Sequence, residues 1–376
     1  MSNQPAVVGP DGVLRPYIGG QALIEGVMMR SPHAFAAVVR RRNGELVVHE
    51  EPMPNARRGA RAWPFVRGVT GLVEALRLGS RALRFSANIY ERDLEAEEAE
   101  QAARRPKAPS TLALLSLPIV ALVTGAPELP PAPTPAKEGR GLMTALSIVF
   151  AVGLFVALPQ AFAAGTSSLL GLDLDVRTWG FQALTGAAKM LIVVGYMLAI
   201  RRLPEIYRVF QYHGAEHKSI YTYESGEPLT VESARSKTTL HPRCGTTFIV
   251  MVALVSMFVF SGIAPLLPEL GLGKLLDNVV FFFLKLPFLP FIAALTFELQ
   301  RVLARYGTRG PLRALLWPGF MVQKITTIEP DDEQLEVALG ALAVTLGRER
   351  GRSGELQSEQ RFPSYGDLLS SSAAMS

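Results

Sequence analysis

Cysteine, histidine and charge are all scarce in this sequence, whose 376 residues include one cysteine, Cys244, and five histidines. A single cysteine excludes a disulfide within the chain, and nothing indicates an oxidising compartment. Lysine and arginine (38) barely outnumber aspartate and glutamate (33), so the charge balance predicts no nucleic-acid partner. Met1 to Pro16 is polar and has no apolar stretch behind a basic start, so we expect no secretory signal peptide.

Hydrophobic residues, by contrast, make up 49% of the chain and are concentrated in long runs. A transmembrane helix needs about 20 apolar residues. Four stretches meet this requirement: Leu142 to Ala163, Trp179 to Ile200, Thr247 to Leu267 and Asn278 to Leu299. A fifth run, Thr111 to Val123, is shorter and contains Pro118, and we interpret it as interfacial or re-entrant. We therefore predict a mainly α-helical, polytopic membrane protein that contacts the lipid bilayer.

The basic residues predict how the four spans are oriented. They cluster before the first span, between the second and third spans, and after the fourth. The other two connections, around Asp173 to Arg177 and around Lys274, carry one basic residue each. Because cytoplasmic loops carry an excess of Lys and Arg, this pattern predicts that both termini are cytoplasmic.

Two elements of a soluble region precede the membrane. Two β-rich runs within Ala34 to Glu51 flank Asn43-Gly44, a strong hairpin signal, and Met28-Met29 could add a third strand. Apolar residues then recur at helical spacing from Phe65 to about Tyr90. That amphipathic helix could lie on an anionic membrane surface or pack against the hairpin.

We divide the chain into seven segments according to these patterns. They are an N-terminal cytoplasmic region with hairpin and helix (1–104), an insertion with a short apolar run and a Pro-rich linker (105–140), two transmembrane helices (141–200), a cytoplasmic segment with the histidine motif (201–246), two further transmembrane helices (247–300), a C-terminal cytoplasmic helical region for which Asp331 is the expected N-cap (301–350), and a polar tail predicted to be disordered (351–376).

Two of the five histidines lie in "FQYHGAEHKSIY", which fits the pattern H-x-x-E-H known from zinc peptidases. In a helix, His213 and His217 lie one turn apart on the same face, a spacing that suits two ligands of one metal ion. Glu216 lies beside that face and could act as a general base. Gly214 weakens such a helix by about 1 kcal/mol.

About 25 residues further on, "TLHPRCGTTF" supplies His241 and Cys244 as further ligands. The combination predicts a divalent metal site, most simply zinc. Four ligands would make a closed structural site, whereas three would leave a position open for catalysis. Two alternative interpretations of these residues involve no metal: a hydrogen-bonded polar cluster, and a nucleophile formed by Cys244 with His241.

Three charged residues within the spans are further candidates, because charge in a membrane is costly. Lys189 lies in the second span, and Lys285 lies in the fourth beside two prolines. Together they motivate transport as a subsidiary hypothesis. Glu298, near the cytoplasmic end of the fourth span, could join the histidine site as an additional carboxylate.

Taken together, the motifs resemble the YqhQ-like family of bacterial membrane proteins, a group of unknown function described as predicted metal-dependent enzymes. The matching stretches are "GGQALIEGVMMRSP" (19–32), "FQYHGAEHKSIYTYE" (210–224), "HPRCGTTF" (241–248) and "QKITTIEPDDEQLEVALGAL" (323–342). The resemblance implies a multi-pass protein of the bacterial inner membrane and favours a metal site, but it supplies no activity. It also singles out Gln21 and Glu25. Glu25 could meet the histidine site, or it could cap or pair within a structural turn.

Two functions follow as hypotheses. One is a membrane metalloenzyme, most simply a zinc-dependent hydrolase at the cytoplasmic face. The other is a non-enzymatic scaffold, or an assembly or insertion factor, with a structural metal and a membrane-protein or translocation partner.

Overall fold

The computed structural model describes residues 6–53, 63, 65–102, 146, 149–172, 174–266, 271, 273–306, 311–350 and 359–371. The short apolar run from Thr111 to Val123 and the Pro-rich linker lie outside these residues. Within them, the fold combines four long apolar helices with an antiparallel sheet that is covered on both faces.

The main sheet has five antiparallel strands in the order β3-β4-β5-β6-β7, and β1 and β2 form a separate pair. The strands are β1 (Ala6–Val8), β2 (Leu14–Pro16), β3 (Gly19–Leu23), β4 (Gly26–Arg30), β5 (Ala34–Arg40), β6 (Leu46–Pro52) and β7 (Gln360–Phe362). The predicted hairpin is confirmed, because β5 and β6 pair across the turn in which Gly44 adopts φ 90°. The expected third strand is β4.

Helices cover both faces of the sheet and make up most of the rest of the described fold. They are α1 (Val66–Ala102), α2 (Leu158–Leu169), α3 (Trp179–Ile200), α4 (Pro204–Ser225), α5 (Val231–Arg235), α6 (Gly245–Ile263), α7 (Lys274–Lys285), α8 (Leu289–Tyr306), α9 (Trp317–Thr326), α10 (Asp332–Glu349) and α11 (Tyr365–Ser370).

Successive side chains of β5 face opposite sides of the sheet, and both sides are buried, which explains why the strand is almost entirely apolar. Ala36 and Val38 belong to the core that the sheet shares with α4 and α10. Phe35 and Val39 belong to the core that it shares with α1, where Leu78 packs. Because successive side chains point to opposite faces, a strand that is covered on both sides needs apolar residues at every position. The helix expected after the hairpin therefore packs against the sheet, as one of the two alternatives held.

Four described helical stretches are long and apolar enough to cross a membrane: Val149–Leu169, Trp179–Ile200, Gly245–Leu266 and Leu276–Leu303. The four predicted spans are therefore confirmed, although the described first stretch begins and ends later than predicted. A π-helical turn (Gly153–Ala157) precedes α2, and a 3₁₀ turn (Leu286–Phe288) joins α7 to α8. That turn contains Pro287, which has no N–H to continue an α-helix.

Part of the C-terminal tail departs from the prediction of disorder. Residues 360–362 add β7 to the edge of β6, and the following α11 buries Leu368 completely. The polar composition of the tail hides this docking. Its main-chain groups pair with a strand more than 300 residues away in sequence, and the helix is anchored by the buried Leu368 and the partly buried Tyr365.

Candidate metal centre

The helix that carries the H-x-x-E-H motif begins where the second span ends. Pro204 occupies the first turn of α4, a position where its missing N–H is not needed, and Gly226 closes the helix in the left-handed conformation with φ 73°. Gly214 has a structural role within this helix. A Cβ built at this position would lie 2.0 Å from the carbonyl oxygen of Ile328, so only glycine admits the segment that follows α9.

Backbone carbonyls fix both histidines of the motif in one orientation. His213 Nδ1 lies 2.9 Å from the Thr326 carbonyl oxygen, and His217 Nδ1 is hydrogen-bonded to the Thr239 carbonyl oxygen. A carbonyl can only accept, so each Nδ1 must carry the proton. Each neutral ring therefore leaves Nε2 with a free lone pair, which is the state that a metal ligand requires.

Cys244 meets these rings from the start of the third span. It is the N-cap of α6, where its sulfur accepts from the backbone N–H of Thr246 at 3.4 Å. His213 Nε2 lies 3.1 Å from Cys244 Sγ. The ligand atoms of His213, His217 and Cys244 all lie within 4.8 Å of one another. In a tetrahedral zinc site, neighbouring donors are about 3–4 Å apart, since Zn–N and Zn–S bonds are about 2.1 and 2.3 Å.

The electrostatics of these side chains suit a ligand set. Burial lowers the pKa of both His213 and His217, which keeps the rings neutral. Burial alone would raise the pKa of the Cys244 thiol. The interaction with His217 and the hydrogen bonds from Thr246 offset this effect, and the pKa of the thiol lies below its usual value.

The hydrogen-bond inventory of the three side chains fits a metal ion better than it fits a metal-free cluster. Two Nε2 lone pairs converge on one thiol, which has a single proton to donate. One lone pair therefore lacks a proton within the trio, and a buried unsatisfied acceptor costs about 1–3 kcal/mol. One cation can accept both nitrogens and the thiolate, while the two carbonyls act as the outer partners that usually orient ligating histidines.

His241, which the sequence also singles out as a ligand, lies outside this group of three. Its ring centroid is 5.5 Å from that of His217 and 4.6 Å from that of Tyr221. Its Nδ1 accepts from the backbone of Arg243 at 3.3 Å, and its buried Nε2 is 3.6 Å from Glu224 Oε2. His241 thus packs behind His217, and burial lowers its pKa to about 4.

Glu216 lies against the sheet beside the three donors. A Cβ at Gly20 would come within 2.7 Å of its carboxylate, so β3 and α4 approach closely at this point. Burial raises the pKa of Glu216 to about 8; His213 opposes the shift and Cys244 reinforces it. The carboxyl group thus interacts electrostatically with His213 and Cys244. It fits against β3 because Gly20 has no side chain.

The other carboxylates proposed from sequence are engaged elsewhere. Glu25 forms a two-point ion pair with Arg208 at 2.5 and 2.6 Å and accepts from Tyr212 at 3.3 Å. It therefore pairs within a turn, with its own φ at 52°, as the structural alternative expects. Glu298 pairs with Arg67 of α1 and does not join the histidine group.

The two remaining candidates, Gln21 and Lys285, also lie apart from the trio. The Gln21 amide contacts Gly79 of α1, and its nitrogen is buried without a partner among the described residues. Lys285 is buried among the spans and donates to Gln160 Oε1 at 3.0 Å and Gln182 Oε1 at 3.3 Å.

Several residues that hold the site in place were not identified from sequence. The Gln323 side chain accepts from the His241 backbone N–H and donates to the His241 carbonyl, both at 2.8 Å. The Gln300 side chain donates to the Cys244 carbonyl at 3.1 Å. Thr239 and Thr326 act only through main-chain carbonyls, which side-chain patterns do not reveal. The one available signal is that the resemblance includes a stretch beginning at Gln323.

Comparisons with known proteins agree with the resemblance. A family model described as "Protein of unknown function (DUF1385)" matches residues 63–348, which include the three donors. The chain is also 31% identical over 328 residues to the uncharacterized protein YqhQ of Bacillus subtilis (strain 168), covering 86% of this chain and 90% of that protein. No solved structure matches the chain. The predicted family is therefore confirmed, whereas neither description names an activity.

Proposed function

The chain belongs to the DUF1385 family, and we propose that it is a zinc-dependent hydrolase embedded in the bacterial inner membrane, with its metal centre at the cytoplasmic face. One observation carries the proposal: two imidazoles with protonated Nδ1 atoms converge through Nε2 on one thiol, in a group whose ligand atoms lie within 4.8 Å of one another. The basic segments on the side of the sheet support the cytoplasmic placement.

The number of donors favours an open site over a closed one. His213, His217 and Cys244 would provide three protein ligands, the number typical of catalytic zinc, whereas His241 is directed toward Glu224. Zinc in an open site lowers the pKa of water that it binds and polarises a substrate carbonyl. Glu216 would hold or release the proton in that reaction, because its carboxyl group is buried beside His213 and Cys244.

The proposal is tested by metal content and by access to the metal. Protein purified without a polyhistidine tag is expected to hold about one zinc per chain. His213→Ala, His217→Ala and Cys244→Ser should each lose it. His49→Ala is the matched control, because its ring packs against Phe85 away from the site. Wild-type protein that neither carries nor takes up metal would refute the proposal.

Cobalt substitution separates a catalytic site from a structural one. An open site should bind acetohydroxamate, which would shift the visible absorption bands of the cobalt protein. Glu216→Gln should keep the metal and this response, because Glu216 is not a proposed ligand. Absorption bands that do not shift at saturating acetohydroxamate would indicate a closed site and would refute the hydrolase hypothesis.

A structural metal in a non-enzymatic scaffold or insertion factor is the second candidate, and one observation favours it. The centre would tie α4 to the N-cap of the third span, and the His213 ring is also hydrogen-bonded to the carbonyl of Thr326, the last residue of α9. A metal here would fasten the sheet-bearing region to the membrane bundle. This candidate predicts closed coordination and stoichiometric co-purification of a membrane-protein or translocation partner.

A further inference from the structure

A second candidate site lies at the junction of α3 and α4, where the second span meets the extramembrane region. A cavity of about 690 Å³ opens there. Six residues line it: Leu198, Arg201, Arg202, Pro204, Tyr207 and Arg208. Three of the six are arginines and none is acidic, so the cavity is suited to an anion.

The three arginines do not contribute equally to this charge. Glu25 binds the Arg208 guanidinium at two points and neutralises it. Arg201 makes only a long 3.4 Å contact with the Lys324 carbonyl oxygen, which does not neutralise its charge. Arg202 has an exposed side chain. The net positive charge of the cavity therefore comes from Arg201 and Arg202.

The position of the cavity points to a lipid as the source of the anion. Ile200 ends a candidate span, and Leu198, in the last turn of that span, is 45% exposed along the cavity wall. Tyr207, in the first turn of α4, lines the same cavity and is 40% exposed. Exposed tryptophan and tyrosine are enriched at the boundary between membrane and water. An apolar wall that continues into the bilayer suits acyl chains, which a soluble phosphate lacks.

We propose that this cavity binds the phosphodiester headgroup of an anionic phospholipid, with Arg201 and Arg202 contacting the phosphate and Leu198 contacting the first methylenes of an acyl chain. Planar guanidinium groups match phosphate oxygens in pairs. Basic pockets beside transmembrane helices on the cytoplasmic side bind anionic headgroups in this way. The inference does not depend on the metal centre.

The test uses delipidated full-length protein in neutral detergent and native mass spectrometry. Phosphatidylglycerol and phosphatidylcholine with identical acyl chains are titrated separately, and soluble glycerol phosphate forms a third arm. We expect one phosphatidylglycerol to bind at least tenfold more tightly than phosphatidylcholine, and glycerol phosphate to bind far more weakly. Arg201→Gln/Arg202→Gln should reduce phosphatidylglycerol affinity about 30-fold, because each basic residue near an anionic surface contributes about a factor of five.

Arg301→Gln is the matched control. Arg301 is exposed at the C-terminal end of the fourth span, which we predict to be cytoplasmic like the cavity, and it does not line the cavity. It should leave the affinity unchanged. Equal binding of the two lipids, or undiminished binding by the double variant, would overturn the proposal. Glycerol phosphate binding as tightly as the lipid would assign the cavity to a soluble phosphate and overturn the lipid assignment. The melting temperature, measured on the same samples, establishes that the variants are folded.

Discussion

Replacing Gly214 by alanine tests how the centre is assembled. In an exposed helix this change stabilises by about 1 kcal/mol, because alanine is the better helix former. Here the new Cβ would lie 2.0 Å from the Ile328 carbonyl oxygen, so the segment after α9 must move by more than about 1 Å to restore a normal contact. That movement breaks the 3.0 Å hydrogen bond from Ile328 N–H to the Phe210 carbonyl.

The expected balance can be worked from these terms. The broken hydrogen bond costs about 1 kcal/mol and the overpacking about 1–3 kcal/mol. After subtracting the gain of about 1 kcal/mol in helix propensity, we expect Gly214→Ala to be destabilised by about 1–3 kcal/mol. Zinc affinity should fall as well, because the Thr326 carbonyl that orients His213 lies two residues before Ile328.

The assay is reversible unfolding of the purified protein in mild detergent, together with zinc titration. Gly195→Ala is the control, since that helical glycine has no atom within 4 Å of the added Cβ. It should be neutral or slightly stabilising and should bind zinc normally. A Gly214→Ala variant at least as stable as wild type would refute the close approach on which this reasoning depends.

Three further predictions follow from individual side chains. His241→Gln should retain zinc, and it should flatten the loss of stability on acidification. The pKa of His241 is about 4 in the folded protein and about 6.5 in an unfolded chain, so only the unfolded state takes up this proton as the pH falls between these values. The free energy of unfolding should therefore fall by up to about 1.4 kcal/mol per pH unit in the wild type, measured in a pH-dependent unfolding series. An unchanged slope in the variant would contradict the assignment. Asp331→Ala removes the side chain that caps α10 and should lower the free energy of unfolding by about 1 kcal/mol, and no change in the melt would argue against the cap. Leu368→Ala should cost about 2–5 kcal/mol if the tail docks as described, and protein lacking residues 359–376 that is as stable as wild type would show that it does not.

Local chemistry explains which parts of the fold the sequence predicts. Asn43-Gly44 specifies its own turn, Asp331 accepts from the N–H of Gln334 three residues on, and the H-x-x-E-H spacing places two rings on one helical face. None of these features depends on a distant partner.

Long-range contacts explain the rest. The sequence assigns no strand at 360–362, because β7 exists only by pairing with β6. It cannot distinguish a ligand role for His241 from packing behind His217, because the main chain of His241 is held by Gln323, 82 residues away, and its ring accepts from the Arg243 backbone. It likewise places Glu25 near the histidines as readily as on Arg208, since the pairing spans 183 residues.

X-ray absorption at the zinc edge tests the central claim most directly, because it reports the number and type of atoms bound to the metal. The account predicts one sulfur, two imidazole nitrogens and one further light-atom ligand that is not a third imidazole in the wild type. It also predicts that His241→Gln leaves this shell unchanged. A shell without sulfur, a third imidazole that disappears in His241→Gln, or protein that binds no zinc would contradict it.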